Sequence, residues 1–392
     1  MKNLLIILSV SACLFACSKS VDLQQENTNN SPKDRQSCNF GLTQFNLVQR
    51  ATVADEFSNR KPIQSSNGGG GTLQTGASSV ILLDFDGQLV SGTSWNSNGS
   101  INCMPANLST TNVQEIVDRV GNDFSPFNVI VTTDESVYNA ASANKRTRVI
   151  ITETYEWYGQ AGGVSFVGSF TWGDNTPCFV FSLLLKYNIK FIAEAVSHEA
   201  GHTLGLYHQA TYDATGIKTS DYNYGQGSGE TGWAPIMGVG YYQNTTLWHN
   251  GANSYGCTSF QNDVAIITNV IGGTKADDYS NTTTNATQLT GLLNGLITNS
   301  SDVDFFYVDN STTKTISLAP FSTGVNNTGA NLDLVLKIYS STGSLISVVD
   351  SPGALNIVTT LNPGKYYLSV TTTANQFAGT YGMLGLYNIS LF

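Results

Sequence analysis

One stretch of the sequence decides the fold: His198-Glu199-Ala200-Gly201-His202-Thr203-Leu204-Gly205-Leu206-Tyr207-His208. The apolar spacing over 189–206 predicts a helix that ends near Gly205. His198 and His202 are four residues apart, so both imidazoles project from one face of that helix. Two such nitrogens can share a zinc ion at about 2.0–2.1 Å each. Because the chain has only four histidines and three lie here, the pattern predicts a metal site.

The rest of the stretch predicts what the metal would do. Gly205 lets the chain leave the helix and turn back, which brings His208 to a third ligand position. Zinc held by three neutral histidines keeps a fourth position for water, and the metal lowers the pKa of that water to about 7. Glu199 lies beside the metal and can take the proton. We therefore predict His198, His202 and His208 as zinc ligands and Glu199 as the catalytic base.

This stretch resembles the signature of the metzincin metallopeptidases, His-Glu-x-x-His-x-x-Gly-x-x-His, which is followed by a methionine turn. Trp233-Ala234-Pro235-Ile236-Met237-Gly238 resembles that turn. The resemblance covers residues 78–273 and implies an α/β (α+β) catalytic domain with a mixed sheet and an active-site helix. It also implies that Met237 lies beneath the zinc ligands. Gln209 and Val239 depart from the residues typical of the known subfamilies at these positions, so no subfamily is assigned.

The residues around the stretch 198–208, called the zinc stretch below, alternate between predicted strands and helices. Apolar and β-branched runs predict strands, and helical spacing predicts a helix over 111–124; the strands are expected at 79–85, 127–133, 148–152 and 178–184. A second helix is expected to begin at Thr258, with Thr258 and Gln261 as a capping box, and to stop at Gly272. Strands interleaved with helices are typical of an α/β layer.

Alternating small and apolar residues over 162–170 predict an edge strand. A peptide substrate could lie extended along such an edge and add a strand through main-chain hydrogen bonds. The residues expected to contact substrate are Gly163, Val164, Ser165, Phe166 and Tyr241. Tyr241 and its neighbour Tyr242 are expected to form a pocket wall.

The composition changes near Thr274, after which the sequence contains no predicted helix. Short alternating strands separated by turn residues predict a β-sandwich over 274–392; the clearest are 305–308, 334–339 and 365–370. This part resembles the bacterial pre-peptidase C-terminal domain at 276–279, 301–306, 332–334 and 363–367. Relatives bind calcium, which makes Asp277, Asp278 and Asp304 candidate ligands; the alternative is that they end strands and solvate turns. Asp84 and Asp86 present the same two alternatives.

The first residues predict export. Lys2 precedes an apolar run that is too short to span a membrane. The run ends at Leu14-Phe15-Ala16-Cys17, which resembles a bacterial lipobox. The resemblance implies cleavage before Cys17 and acylation of its thiol, which anchors the protein in the cell envelope, at the outer membrane or the cell surface. The alternative is an ordinary signal peptide. The predicted organisation is a signal peptide (1–16), a tether or propeptide (17–75), the peptidase domain (76–273) and the sandwich (274–392).

The remaining cysteines and the fourth histidine leave alternatives open. In an oxidising compartment up to two disulfides are expected, and the sequence does not choose among the pairings; the cysteines concerned are Cys38, Cys103, Cys178 and Cys257. Cys38 is alternatively a propeptide thiol that caps the metal. His249 is expected in a surface loop.

Composition narrows the class of function. Charged residues make up 12%, the net charge is -10, and no cluster of Lys and Arg occurs, which argues against nucleic-acid binding. The leading interpretation is a lipid-anchored zinc endopeptidase that acts as a monomer on proteins or peptides. The rivals are a non-catalytic surface adhesin with a structural zinc and a zinc hydrolase of non-peptide amides. Glu199 argues against the adhesin, because a structural site needs no base and closes its fourth position.

Overall fold

The computed structural model describes residues 37–40 and 79–392, which belong to one compact unit. The predictions for the signal peptide, for Cys17 and for most of the tether lie outside these residues. For 37–40 the backbone alone is described. Within the described ranges, no helix combines the length and apolar character needed to cross a membrane.

The described residues before 274 form four α-helices and fourteen short strands. The helices are α1 (Thr110–Asp123), α2 (Glu135–Ala140), α3 (Ile189–Thr203) and α4 (Asp263–Ile271). The strands are β1 (Ser37–Phe40), β2 (Ser79–Asp84), β3 (Gln88–Val90), β4 (Ile101–Cys103), β5 (Val129–Thr132), β6 (Arg146–Thr152), β7 (Gly163–Phe166), β8 (Cys178–Phe181), β9 (Thr211–Tyr212), β10 (Lys218–Ser220), β11 (Trp233–Pro235), β12 (Thr245–Leu247), β13 (Asn250–Ala252) and β14 (Phe260–Asn262).

Six of these strands form one mixed sheet in the order β1-β7-β8-β6-β2-β5. The pairs β2–β5, β2–β6 and β6–β8 are parallel, whereas β7 and β1 run antiparallel to their neighbours. Strand β2, which lies between β6 and β5, is buried along its whole length, as its apolar run predicts. Helices α1 and α3 pack against each other and against the sheet. The structure therefore has a mixed sheet packed against helices, as the resemblance implies.

The last α-helix begins later than the sequence predicts, so the prediction of a start at Thr258 is wrong. The helix begins at Asp263, and the side chain of Asn262 caps it by accepting a hydrogen bond from the Ala265 N–H at 2.9 Å. The predicted capping residue Gln261 lies in β14, which pairs with β13. Its amide contacts the main chain of Tyr207 instead, so a long-range contact competes with the local capping pattern. The helix ends at Gly272, as predicted, with φ of 97°.

The second part of the chain is a pair of β-sheets. Its strands are β15 (Thr287–Gln288), β16 (Leu292–Ile297), β17 (Asp304–Asn310), β18 (Lys314–Pro320), β19 (Leu334–Ser340), β20 (Leu345–Val349), β21 (Ile357–Leu361), β22 (Gly364–Thr372) and β23 (Gly385–Leu391). One sheet has the order β15-β17-β22-β19-β20, and the other has the order β16-β23-β18-β21. Apolar residues of both sheets form a common core, including Phe306, Ile316, Leu336, Leu368 and Ile389. This agrees with the alternating patterns at 305–308, 334–339 and 365–370.

The two parts share buried contacts. Trp233 and Leu247, from the first part, belong to the hydrophobic core of the second. The buried carboxylate of Asp123, at the end of α1, accepts hydrogen bonds from Ser197 Oγ at 2.5 Å and from Asn331 Nδ2 at 2.8 Å. Asn331 lies between two strands of the second part, so this carboxylate joins helix α3 to the sandwich. Burial raises the pKa of Asp123 to about 7.

The cysteine prediction is wrong for the three cysteines whose side chains are described. Cys103, Cys178 and Cys257 are free thiols, and the first two are buried. Cys178 lies in β8 beneath α3, where burial and the nearby charge of Glu199 raise its pKa well above the ordinary value. Buried cysteines of this kind behave as small apolar side chains.

Candidate metal centre

Three histidine side chains converge at the end of α3. One ring nitrogen from each of His198, His202 and His208 lies within 4.8 Å of the others. The first two are one turn apart on the helix. His208 reaches the site because Gly205 adopts φ of +100°, a left-handed conformation that favours glycine and ends the helix sharply. The structure thus brings together all three predicted ligands.

Main-chain carbonyls orient two of these rings. Nδ1 of His198 lies 2.8 Å from the Ile236 carbonyl oxygen, and Nδ1 of His202 lies 2.7 Å from that of Leu206. A carbonyl only accepts hydrogen bonds, so each Nδ1 donates and the lone pair is on Nε2. Among the described residues, Nε2 of His202 and Nε2 of His208 are buried without a hydrogen-bond partner. Such buried lone pairs suit a metal ion, and the residues present fit zinc.

Electrostatics keeps the three imidazoles neutral. Burial lowers the pKa of His202 to about 4. It lowers the pKa of His198 and His208 well below the usual range, and the neighbouring histidines lower both further. Neutral imidazole is the form that binds metal, because the proton would otherwise occupy the lone pair. The site is therefore ready for a divalent cation at neutral pH.

Met237 packs against α3 at Gly201, the residue before His202, and its position beneath the zinc ligands stays a prediction. It is fully buried, and a Cβ atom at Gly201 would lie 2.6 Å from its sulfur. Gly201 of the zinc stretch thus leaves room for the methionine against α3. The main-chain N–H of Gln209 donates to the Met237 carbonyl at 2.8 Å, which ties the segment after the third histidine to the methionine turn.

Glu199 is fully buried between α3 and β7. Its Oε2 accepts a hydrogen bond from Ser165 Oγ at 2.5 Å, and its Oε1 has no hydrogen-bond partner among the described residues. Burial raises the pKa of Glu199 well above the usual range, and the Ser165 hydrogen bond opposes that rise. Glu199 therefore has one carboxyl oxygen held by Ser165 and one oxygen without a hydrogen-bond partner among the described residues.

The predicted edge strand is shorter than expected and is itself covered. β7 spans Gly163–Phe166, which contains four of the predicted substrate contacts, and the chain then turns at Gly168. Strand β1 forms the outer edge of the sheet by pairing antiparallel with β7, with Cys38 opposite Ser165 and Phe40 opposite Gly163. Residues 37–40 of the chain thus take the position that the sequence analysis assigns to a peptide substrate.

The aromatic residues near the site have different environments. Tyr241 is buried, with its ring 4.5 Å from that of Phe191. Burial, and then the charge of Glu199, raise the pKa of Tyr241 well above the usual range. Tyr242 is 56% exposed. The ring of Tyr222 lies 4.4 Å from that of His208. Tyr222 belongs to no sequence motif, so its position beside His208 was not predicted.

Acidic side chains cluster at one edge of the sandwich. Carboxylate oxygens of Asp277, Asp302 and Asp304 lie within 4.8 Å of one another and could hold a metal ion. Asp278, one of the predicted ligands, instead accepts the Leu296 N–H at 3.4 Å. The sequence analysis did not single out Asp302, although it belongs to the same quoted stretch as Asp304. Calcium at this cluster stays a prediction.

The two remaining candidates have structural partners. Asp84 pairs with Arg148 at 2.5 Å at the end of β2, which supports the alternative of a strand terminus for this residue. His249 lies in the turn between β12 and β13, as expected, but it is only partly exposed, and its ring is 5.0 Å from that of Trp233. Burial lowers the pKa of His249 to about 4.

Residues 136–259 match the model of the reprolysin-like metallopeptidases of family M12B. This reprolysin-like region contains β7, the zinc stretch and Met237. No curated protein matches the chain. The match supports a metallopeptidase, for which zinc is the typical metal.

Two solved structures are similar to parts of the chain. The pre-peptidase C-terminal domain of a Bacillus anthracis collagenase is 16% identical, with 29% of this chain and 100% of that chain covered and a TM-score of 0.21. PliG, a periplasmic inhibitor of g-type lysozyme from Aeromonas hydrophila, is 11% identical, with 27% and 95% covered and a TM-score of 0.19.

Proposed function

We propose that this protein is a zinc-dependent endopeptidase of the bacterial cell envelope, anchored through an acylated Cys17. One observation carries the enzymatic part. Three histidines, two of them fully buried, converge beside the fully buried carboxyl group of Glu199, of which one oxygen has no partner among the described residues. A purely structural site would have no use for that carboxyl group. The anchor rests on residues 14–17, outside the described part of the chain, and stays a prediction.

The proposed chemistry assigns one role to each group. Zinc, when bound to His198, His202 and His208, supplies a Lewis acid for the scissile carbonyl group and favours ionisation of water. Glu199 removes a proton from the attacking water and later gives a proton to the leaving amine. The carbonyls of Ile236 and Leu206 hold the imidazoles of His198 and His202 in place.

The substrate is proposed to be an extended peptide on β7. The pairing of β1 with β7 supports this, because it shows that the outer edge of β7 accepts a strand through main-chain hydrogen bonds. Ser165, the β7 residue that pairs with Cys38, donates its side-chain hydrogen bond to Glu199. A strand bound at this edge would therefore lie close to the proposed base. A peptide in this position would place a main-chain carbonyl near the histidines, whereas a small non-peptide amide would gain nothing from the strand edge.

Residues 17–75 are proposed to act as a propeptide, because β1 and a substrate cannot occupy the same edge. Deleting residues 37–40 should lower KM about tenfold and leave kcat unchanged, since the tethered strand competes at a millimolar effective concentration. Initial rates on a fluorogenic peptide give both constants. A four-residue deletion at 64–67, which lies in the same segment but not in β1, is the matched control. Equal KM values for the two deletions would contradict the proposal.

A zymogram tests the proposed function against the adhesin interpretation. The purified chain should clear casein or gelatin, and a chelator such as 1,10-phenanthroline should abolish clearing because the metal is required. Returning zinc should restore it. An adhesin with a structural zinc would leave the protein substrate intact under every condition, and clearing that resists the chelator would exclude a metal-dependent mechanism.

A further inference from the structure

The hydroxyl group of Ser165 occupies a fully buried position on β7, directly against the proposed catalytic base. It donates to Oε2 of Glu199. Two residues earlier, a Cβ atom at Gly163 would lie 2.6 Å from Cγ of Glu199 and 2.7 Å from the Phe179 carbonyl oxygen. Gly163 therefore leaves room for the aliphatic part of the Glu199 side chain. Ser165 places a hydroxyl group at the carboxyl end of the same side chain.

We propose that Ser165 is a positioning residue for Glu199, an inference that rests on the proposed function. Held at Oε2, the carboxyl group cannot rotate freely, and Oε1 is the oxygen left to take the proton from water. Hydrogen bonds to an ionised group are stronger than those between neutral groups and fix its geometry. Ser165 itself touches no reacting atom, so its effect passes through Glu199.

The strand gives this contact a second consequence. Ser165 lies at the centre of the edge to which a peptide would pair, opposite Cys38 in the present pairing. Its main chain would bind the substrate while its side chain positions the base, so one residue would fix the positions of both. The distance between the bound peptide and Glu199 is then set by a single strand rather than by a loop.

The Ser165→Ala variant removes the hydroxyl group and leaves the main chain of β7 intact. We expect kcat to fall about 10- to 100-fold, the range for losing a hydrogen bond to a charged group, with KM changed less than twofold. Zinc content should stay at one per chain, because Ser165 contacts no ligand nitrogen. The measurements are peptide kinetics and metal analysis on the mature chain, with and without residues 37–40.

A matched control removes a different buried hydroxyl group. Ser182 is also fully buried, and its Oγ donates to the Ala106 carbonyl oxygen at 3.0 Å, away from Glu199. Ser182→Ala should keep the wild-type kcat. An equal fall in kcat for Ser182→Ala and Ser165→Ala would show a general effect of lost packing and would overturn the assignment.

A double-mutant cycle separates positioning from a structural role. Glu199→Asp shortens the side chain and withdraws the carboxylate from Ser165, so adding Ser165→Ala to it should cost less than twofold in kcat. The same loss in both backgrounds, or no loss from Ser165→Ala in the wild type, would overturn the proposal. Failure of the proposed function has another signature, which is the absence of peptide hydrolysis by the zinc-loaded wild-type chain.

Discussion

The Glu199→Ala variant should retain one zinc per chain and lose at least about 10²- to 10⁴-fold in kcat. In the wild type, the Glu199 carboxyl group is hydrogen-bonded to Ser165 and to none of the three ring nitrogens. The variant should therefore keep the metal. The rate should fall because no other described carboxyl group belongs to the histidine cluster. Metal analysis by mass spectrometry and peptide kinetics on the same sample measure both effects.

Two controls make this result interpretable. Glu199→Gln keeps the volume of the side chain in its fully buried position and should be as inactive as the alanine variant. Glu194→Gln changes another buried carboxyl group of the same helix, which contacts Lys190 and Thr246, and should retain turnover when folded. Wild-type turnover by Glu199→Ala would exclude the base mechanism, even in a protein that holds zinc.

The His202→Ala variant should lose zinc and activity together. Removing one of three ligands leaves the ion under-coordinated, and the cost should exceed the roughly 10- to 100-fold in affinity typical of losing a residue that merely supports a ligand. Equilibrium dialysis against a zinc buffer measures the affinity, and the fluorogenic peptide measures the rate. Circular dichroism should show a retained sheet and helices, because apolar residues of α3, including Ile192, Ala195 and Val196, belong to the hydrophobic core.

The fourth histidine supplies the control for this variant. His249 packs on Trp233 and lies outside the cluster of ring nitrogens, so His249→Ala should bind zinc with wild-type affinity. Retained stoichiometric zinc in His202→Ala would show that the ion is held elsewhere. Loss of zinc in both variants would mean that the histidine substitutions act through the fold.

The local parts of the site were predictable from the sequence. Helical spacing places His198 and His202 on one face, and Gly205 ends the helix where the chain must turn towards His208. These relations span a few residues, so backbone geometry alone nearly determines them. The turn at Met237 is distant in sequence, and it was identified through a family resemblance rather than through spacing.

The non-local parts could not be predicted in the same way. The hydrogen bond between Ser165 and Glu199 depends on the packing of α3 against β7, which no local pattern encodes. Gln261 has the spacing of a helix cap, but its side-chain amide forms hydrogen bonds with the main chain of Tyr207. The pairing of residues 37–40 with β7 joins segments more than a hundred residues apart, and both are short and only weakly patterned.

Titration of zinc into the metal-free chain tests the central claim most directly. Peptide hydrolysis should be absent without metal, rise linearly as zinc is added, and level off at one zinc per chain. Substoichiometric saturation would mean that much of the protein is misfolded, and the measurement would then be repeated on the monodisperse fraction. Hydrolysis by the fully metal-free chain at the rate of the loaded protein would contradict the account.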